Sequence, residues 1–126
     1  MAVKTETPLQ ERIQTLIRQR GGYVVKQHGD MISEPGIPDL LACYRGIFLG
    51  IEVKVNDNTP SKQQGIHCRK IWQRGGIAMV TWGVDDVISV LSFIDRWIDA
   101  DCLVPEVIKG VETQMQFANI DNGRNW

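Results

Sequence analysis

The sequence predicts a single α/β domain on a mixed central sheet, with elements in the order α-β-β-β-α-β-α. Three observations carry that expectation. Two apolar runs, Leu40 to Tyr44 and Ile47 to Val55, flank an Arg45-Gly46 break and are bounded by Gly and Pro, the pattern of buried strands joined as a hairpin. Leu9, Ile13, Leu16 and Ile17 recur at helical spacing, as do Val84, Val87, Ile88, Leu91, Ile94 and Ile98. A third apolar run, Ile77 to Trp82, follows a helical segment after the hairpin. Strand, helix, strand in that order implies a parallel pair with a right-handed crossover.

At 126 residues the chain suffices for one domain with a single core. No apolar stretch approaches the roughly 18 residues that span a bilayer. The first residues, Met-Ala-Val-Lys-Thr-Glu, lack the apolar centre of a signal peptide. A cytoplasmic protein with no membrane contact is therefore expected. Cys43, Cys68 and Cys102 are scattered and odd in number, which argues against a zinc site or a disulfide framework. Cys43 is expected in the core and Cys68 on a helix. The net charge of −1 does not mark a strong nucleic-acid binder, but its distribution is uneven. Residues 1–82 carry a balance of +4 and residues 83–126 one of −5. Phosphate neutralisation needs local positive charge, and the basic half contains the hairpin.

In chain order, residues 1–6 read as a loose end. Thr7-Pro8-Leu9-Gln10 starts a helix, with Thr7 as cap, Pro8 in the first position and Gln10 completing a capping box. Glu11 falls on its polar side, and Gly21-Gly22 ends it. Gly22 to Gln27 is a short strand. His28 to Gly36 is a turn-rich loop leading toward the hairpin, where Lys26, His28 and Ser33 are candidate substrate contacts. After the hairpin, Asn56-Asp57-Asn58-Thr59 is a polar turn. Either Thr59 or Ser61 caps the next helix, which Gly75-Gly76 closes. Lys62, Arg69, Lys70 and Arg74 make that helix basic, the best candidate for touching a nucleic-acid backbone. Gly83 to Ile98 is the last predicted helix, with Asp85 and Asp86 complementing its N-terminus. Beyond Ala100 the apolar residues are poorly periodic, and residues 121–126 are expected to be mobile.

The hairpin register carries the chemistry. With a two-residue loop at Arg45-Gly46, or a four-residue loop on the same centre, Tyr44 pairs with Ile47, Cys43 with Phe48, and Asp39 falls opposite Glu52. An odd loop shifts this by one. Directly opposed residues have Cβ atoms roughly 4.5–5.5 Å apart. Two carboxylates that close repel unless a cation or proton lies between them. Lys54 follows Glu52 at i+2 and leaves the same face. Two acids and an amine thus converge, a set suited to metal-assisted hydrolysis with Mg²⁺ or Mn²⁺ on hard oxygen ligands. The same residues would otherwise be a buried ion pair that only helps specify the fold.

Pro38-Asp39 followed by Glu52-Val53-Lys54 is the signature of the PD-(D/E)XK nuclease superfamily. With Gly36-Ile37-Pro38-Asp39, Ser61-Lys62-Gln63-Gln64, Gly75-Gly76 and Asp85-Asp86-Val87, the chain resembles the VRR-NUC (virus-type replication-repair nuclease) family over roughly residues 7 to 98. Residues 99–126 are then an extension, packed on the domain or at a dimer interface. The resemblance implies a restriction-endonuclease-like core and metal-dependent hydrolysis of DNA phosphodiesters. It implies that Asp39, Glu52 and the Val53 backbone carbonyl hold Mg²⁺ or Mn²⁺, and that Lys54 positions or activates the attacking water. Gln64 supports them, and Glu11 on the first helix assists through water. Ser61, Lys62 and Arg69 join Lys26, His28 and Ser33 as candidate DNA contacts. Free-standing members look like homodimers selective for branched DNA such as four-way (Holliday) junctions, in viral or bacterial replication and repair. The rivals are a sequence-specific restriction-type subunit and a non-cleaving DNA-binding or assembly module.

Overall fold

The computed structural model describes residues 5–28 and 34–126. Its elements are α1 (Glu6–Gln19), β1 (Tyr23–Lys26), β2 (Leu40–Tyr44), β3 (Ile47–Val53), α2 (Lys62–Gln73), β4 (Ile77–Thr81), α3 (Val84–Asp99) and α4 (Val104–Phe117). The sheet runs β1-β2-β3-β4. Its first two pairings are antiparallel and β3 lies parallel to β4. The expected mixed sheet with flanking helices is present.

The β2–β3 hairpin closes on Arg45 and Gly46, both at positive φ (52° and 84°). That is the two-residue turn whose twist matches the strands. Its register follows: Tyr44 pairs with Ile47, Cys43 with Phe48 and Leu40 with Ile51. Arg45 pairs with Asp95 at 3.1 Å and Asp99 at 2.9 Å, and the Tyr44 hydroxyl donates to Asp95 at 3.0 Å. These contacts bind the turn to α3.

One sheet face carries Ala42, Tyr44, Ile47, Leu49 and Ile51, all buried with Ile13 and Ile17 of α1 and Leu91 and Ile94 of α3. On the other face α2 lies over β3 and β4. Gly50 permits this approach: a side chain there would meet Ile71 and Pro38. Helix α2 does not reach the outer part of β1 and β2. Cys43 is therefore exposed rather than in the core, beside its cross-strand neighbours Tyr23 and Phe48, which are also exposed. Strand alternation alone does not say which face a helix will cover.

Helix α1 starts at Glu6, with Thr5 as N-cap and no side-chain capping bond, two residues earlier than Thr7-Pro8 suggests. Helix α4 is absent from the expected order. Val107, Ile108, Val111 and Met115 are buried at helical spacing, but exposed Val104 and Phe117 at its two ends blur the pattern. It packs on α3 so closely that any side chain at Gly110 would collide with the Trp97 ring, whose Nε1 donates to Gln114 at 2.8 Å.

Residues 121–126 are latched to the domain, contrary to the expected mobility. Val80 N–H donates to the Asp121 carbonyl at 2.9 Å, extending the sheet past β4. Trp72 Nε1 donates to the Asn122 carbonyl at 2.9 Å, and the Arg124 guanidinium sits 4.5 Å from the centre of the Trp72 ring. Arg124 also pairs with Glu112 of α4 at 2.8 Å. Polar composition suggested a loose tail; Asp121, Asn122 and Arg124 instead each have a specific tertiary partner.

Candidate functional site

The site forms where β2 begins and β3 ends. Asp39 precedes β2, one step beyond the Leu40–Ile51 pair, so the hairpin register brings it opposite Glu52. Its Oδ2 accepts the backbone N–H of Val53 at 2.8 Å. Gln27 N–H donates to the Asp39 carbonyl at 2.7 Å, so this residue is held by both neighbouring strands. Pro38, buried against Gly50, fixes the approach to Asp39. Gly36 sits on the Gln63 backbone with no room for a side chain, at φ +89° that favours glycine.

Glu52 is the unusual group. Its side chain is 1% exposed, and neither carboxylate oxygen has a hydrogen-bond donor among the described residues. Burial pushes its pKa well above the ordinary carboxylate range, and the adjacent Asp39 carboxyl raises it further; Lys54 pulls it down and Glu6 adds a smaller push up. Two ionised carboxylates offer each other no donor. Contact between Asp39 and Glu52 becomes favourable only when one carries a proton or a cation lies between them. Lys54, half-buried just past β3, supplies the nearby positive charge, and its N–H donates to the Thr81 carbonyl at 2.9 Å.

Glu6 is the acid that sequence reasoning missed. Its pKa is raised, chiefly by burial; Lys54 lowers it and Asp39 raises it, which places its carboxyl within the field of both. The signal was present: Glu6 lies one turn before Gln10 on the stripe that continues through Ile13 and Ile17, but it fell in the segment read as a loose end. Glu11, the acid expected to help from this helix, is exposed and lines a groove with Val84 and Ile88 of α3. A helix rotates by about 100° per residue, so positions 6 and 11 cannot share a face.

Gln64 is also placed differently from expectation. Its Oε1 accepts the Ser61 N–H at 2.7 Å, while Gln64 N–H donates to Ser61 Oγ at 3.2 Å. This capping box commits the amide oxygen and the Ser61 hydroxyl to the start of α2 rather than to the acids. Arg69 donates to the carbonyls of Arg124 (2.9 Å) and Trp126 (3.1 Å), so it holds the tail instead of an open DNA-facing position. Lys62 and His28 are exposed, and Lys26 is half-buried at the end of β1 opposite Leu40. Ser33 lies outside the described residues. Cys68 of α2 is buried near Glu52, its thiol pKa pushed up to about 12 by burial first and by Glu52 second, which makes it an inert packing group.

Among the described residues no three His, Cys, Asp or Glu side chains form a closed ligand set. Mg²⁺ does not require one: it commonly takes one or two carboxylates and fills its remaining positions with water and phosphate oxygens. The two donor-free oxygens of buried Glu52, with Asp39 opposite, fit that pattern.

No protein-family profile and no curated protein matches this chain. Solved structures do. A VRR_NUC domain superposes with a TM-score of 0.59 at 25% identity, over 71% of this chain and 97% of that one. The Holliday junction resolvase Hjc of the archaeal hyperthermophile Archaeoglobus fulgidus shares the fold, with a TM-score of 0.50 at 20% identity over 61% of this chain and 67% of that one. With the Pro38-Asp39 and Glu52-Val53-Lys54 motifs brought to one end of the sheet, the chain has a restriction-endonuclease-like fold and is similar to a VRR_NUC domain.

Proposed function

We propose that this protein is a divalent-metal-dependent DNA endonuclease that selects branched DNA such as four-way junctions. The observation that carries the reading is the state of Glu52: fully buried, without a donor to either oxygen, facing Asp39 and within the field of Lys54. Such an arrangement is costly in a protein that never binds a cation there. In this reading Asp39, Glu52 and the Val53 carbonyl hold Mg²⁺ or Mn²⁺. The bound cation supplies charge neutralisation at the phosphoryl group and a lowered pKa for the attacking water. The Val53 N–H fixes the Asp39 carboxylate, and the Lys54 ammonium holds the water or a phosphate oxygen in line. Glu6 replaces Glu11 as the acid on the first helix that steadies Lys54.

Branched substrate is favoured by the size of the domain. A domain of this size has little surface for reading bases in a groove, so shape is the cue it offers. The similar Hjc is a Holliday junction resolvase, which supports the same substrate class here. Paired cuts across a junction require two sites, and we include a homodimer in the proposal. Replication or repair, of a phage or its bacterial host, is the setting such an activity would serve.

The test is purified protein with Mg²⁺ or Mn²⁺ on linear, flap and four-way DNA. Nicking strongest on the four-way substrate, absent in chelator and lost in Asp39→Ala and Lys54→Ala, is the expected result. Cleavage of plain duplex at one defined sequence would select a restriction-type subunit. Equal activity in both variants would remove the catalytic assignment.

A further inference from the structure

Along the parallel β3–β4 pair, Val53 lies beside Thr81. One step further, Lys54 N–H still bonds the Thr81 carbonyl, and Lys54 comes beside Trp82, about one strand spacing (~4.8 Å) away in backbone terms. Trp82 is 38% exposed, although tryptophan is among the residues with most to gain from burial. Its Nε1 is pinned by the Asn58 carbonyl at 2.9 Å, which ties one edge of the ring to the turn after Lys54. Trp82 lines a cleft of about 460 Å³, the size of a small-ligand site. Pro8, Leu9 and Val55 give the cleft an apolar wall, and Arg12 adds a guanidinium that forms no ion pair among the described residues. The cleft adjoins the candidate site at two points along the chain: Thr5 precedes Glu6, and Val55 follows Lys54.

We propose that this cleft binds an unpaired nucleotide of the DNA substrate next to the scissile phosphate, with the base on the Trp82 indole and its phosphate at Arg12. The inference rests on the nuclease reading above and names the substrate feature that the site would take. An unpaired base offers a free π-face to an aromatic ring, whereas a base inside a duplex does not. The guanidinium suits the attached phosphate. Asp85, the acid in the lining, accepts from an exocyclic base amine and disfavours a phosphate deep in the cleft.

The experiment measures binding, with chelator present to stop hydrolysis, of a forked DNA with a short unpaired arm and of a fully paired duplex of equal length. Trp82→Ala is expected to weaken forked-DNA binding roughly 5- to 100-fold, the range for loss of one base–aromatic stack, and Arg12→Ala to weaken it measurably, while duplex binding changes less than twofold in either. Trp82→Phe keeps a ring and restores most of the affinity, but removes the tryptophan quench that forked DNA causes in the parent. Equal losses on both probes, or none on either, overturn the subsite. Should Trp82→Ala unfold, Trp82→Phe and Arg12→Ala decide on the same readouts. Failure of the parent to nick any DNA in Mg²⁺ or Mn²⁺ overturns the nuclease reading instead, and the parent's nicking is measured alongside to keep the two apart.

Discussion

Asp39 completes the β2–β3 ladder with its side chain: Oδ2 accepts the Val53 N–H at 2.8 Å, one residue beyond the last backbone pair. The same carboxylate that would hold a cation also satisfies a strand donor. Asp39→Asn keeps an acceptor, so it should cost little stability yet abolish nicking. Asp39→Ala orphans the Val53 N–H and should lose about 1–3 kcal/mol as well. Urea unfolding of the two variants checks this; equal stability would mean that the Val53 bond contributes nothing.

Glu52 should destabilise the cation-free protein at neutral pH. Its folded-state pKa lies above the ordinary 4.5, so between that value and the raised one the folded chain holds a proton that the unfolded chain releases. Stability therefore falls as pH rises through this window. Glu52→Gln removes the ionisable group and should raise the stability of the cation-free protein at pH 7–8 by about 1–3 kcal/mol, the scale of an unsatisfied buried group, while ending activity. Mg²⁺ or Mn²⁺ should raise the melting temperature of the parent and leave that of Glu52→Gln unmoved. Thermal melts across pH, with and without cation, read both effects.

Glu6 and Glu11 sit five residues apart on one helix and should differ in effect. Glu6→Gln is expected to slow nicking by roughly 100-fold, the lower end for a group that assists proton transfer. Glu11→Gln should behave as the parent, because its side chain points to solvent near α3. Single-turnover rates on one DNA substrate separate them, and a reversed order would restore the sequence-based choice.

Gln64 should act on stability before activity. Gln64→Ala breaks half of the α2 capping box and should cost about 0.5–2 kcal/mol. Gln64→Glu keeps an acceptor for the Ser61 N–H at a helix N-terminus that favours negative charge, so it should retain most of the stability. A large loss of nicking in Gln64→Glu with an unchanged melt would return Gln64 to the catalytic group.

The sequence by itself determined the strands of the hairpin and, for a loop of two or four residues, its register and the approach of Asp39, Glu52 and Lys54. These follow from local rules: an Arg45-Gly46 turn of two residues leaves no freedom in pairing, and strand alternation then fixes which side chains share a face. Only the tertiary structure decided that Glu6 rather than Glu11 faces the acids, that Cys43 is exposed, and that Arg69 and the tail bind each other. It also decided where Trp82 stands relative to Lys54. Those outcomes depend on how far a helix extends past its apolar stripe and on which part of the sheet another helix covers. They are set by packing between distant segments, and no short-range pattern records such packing.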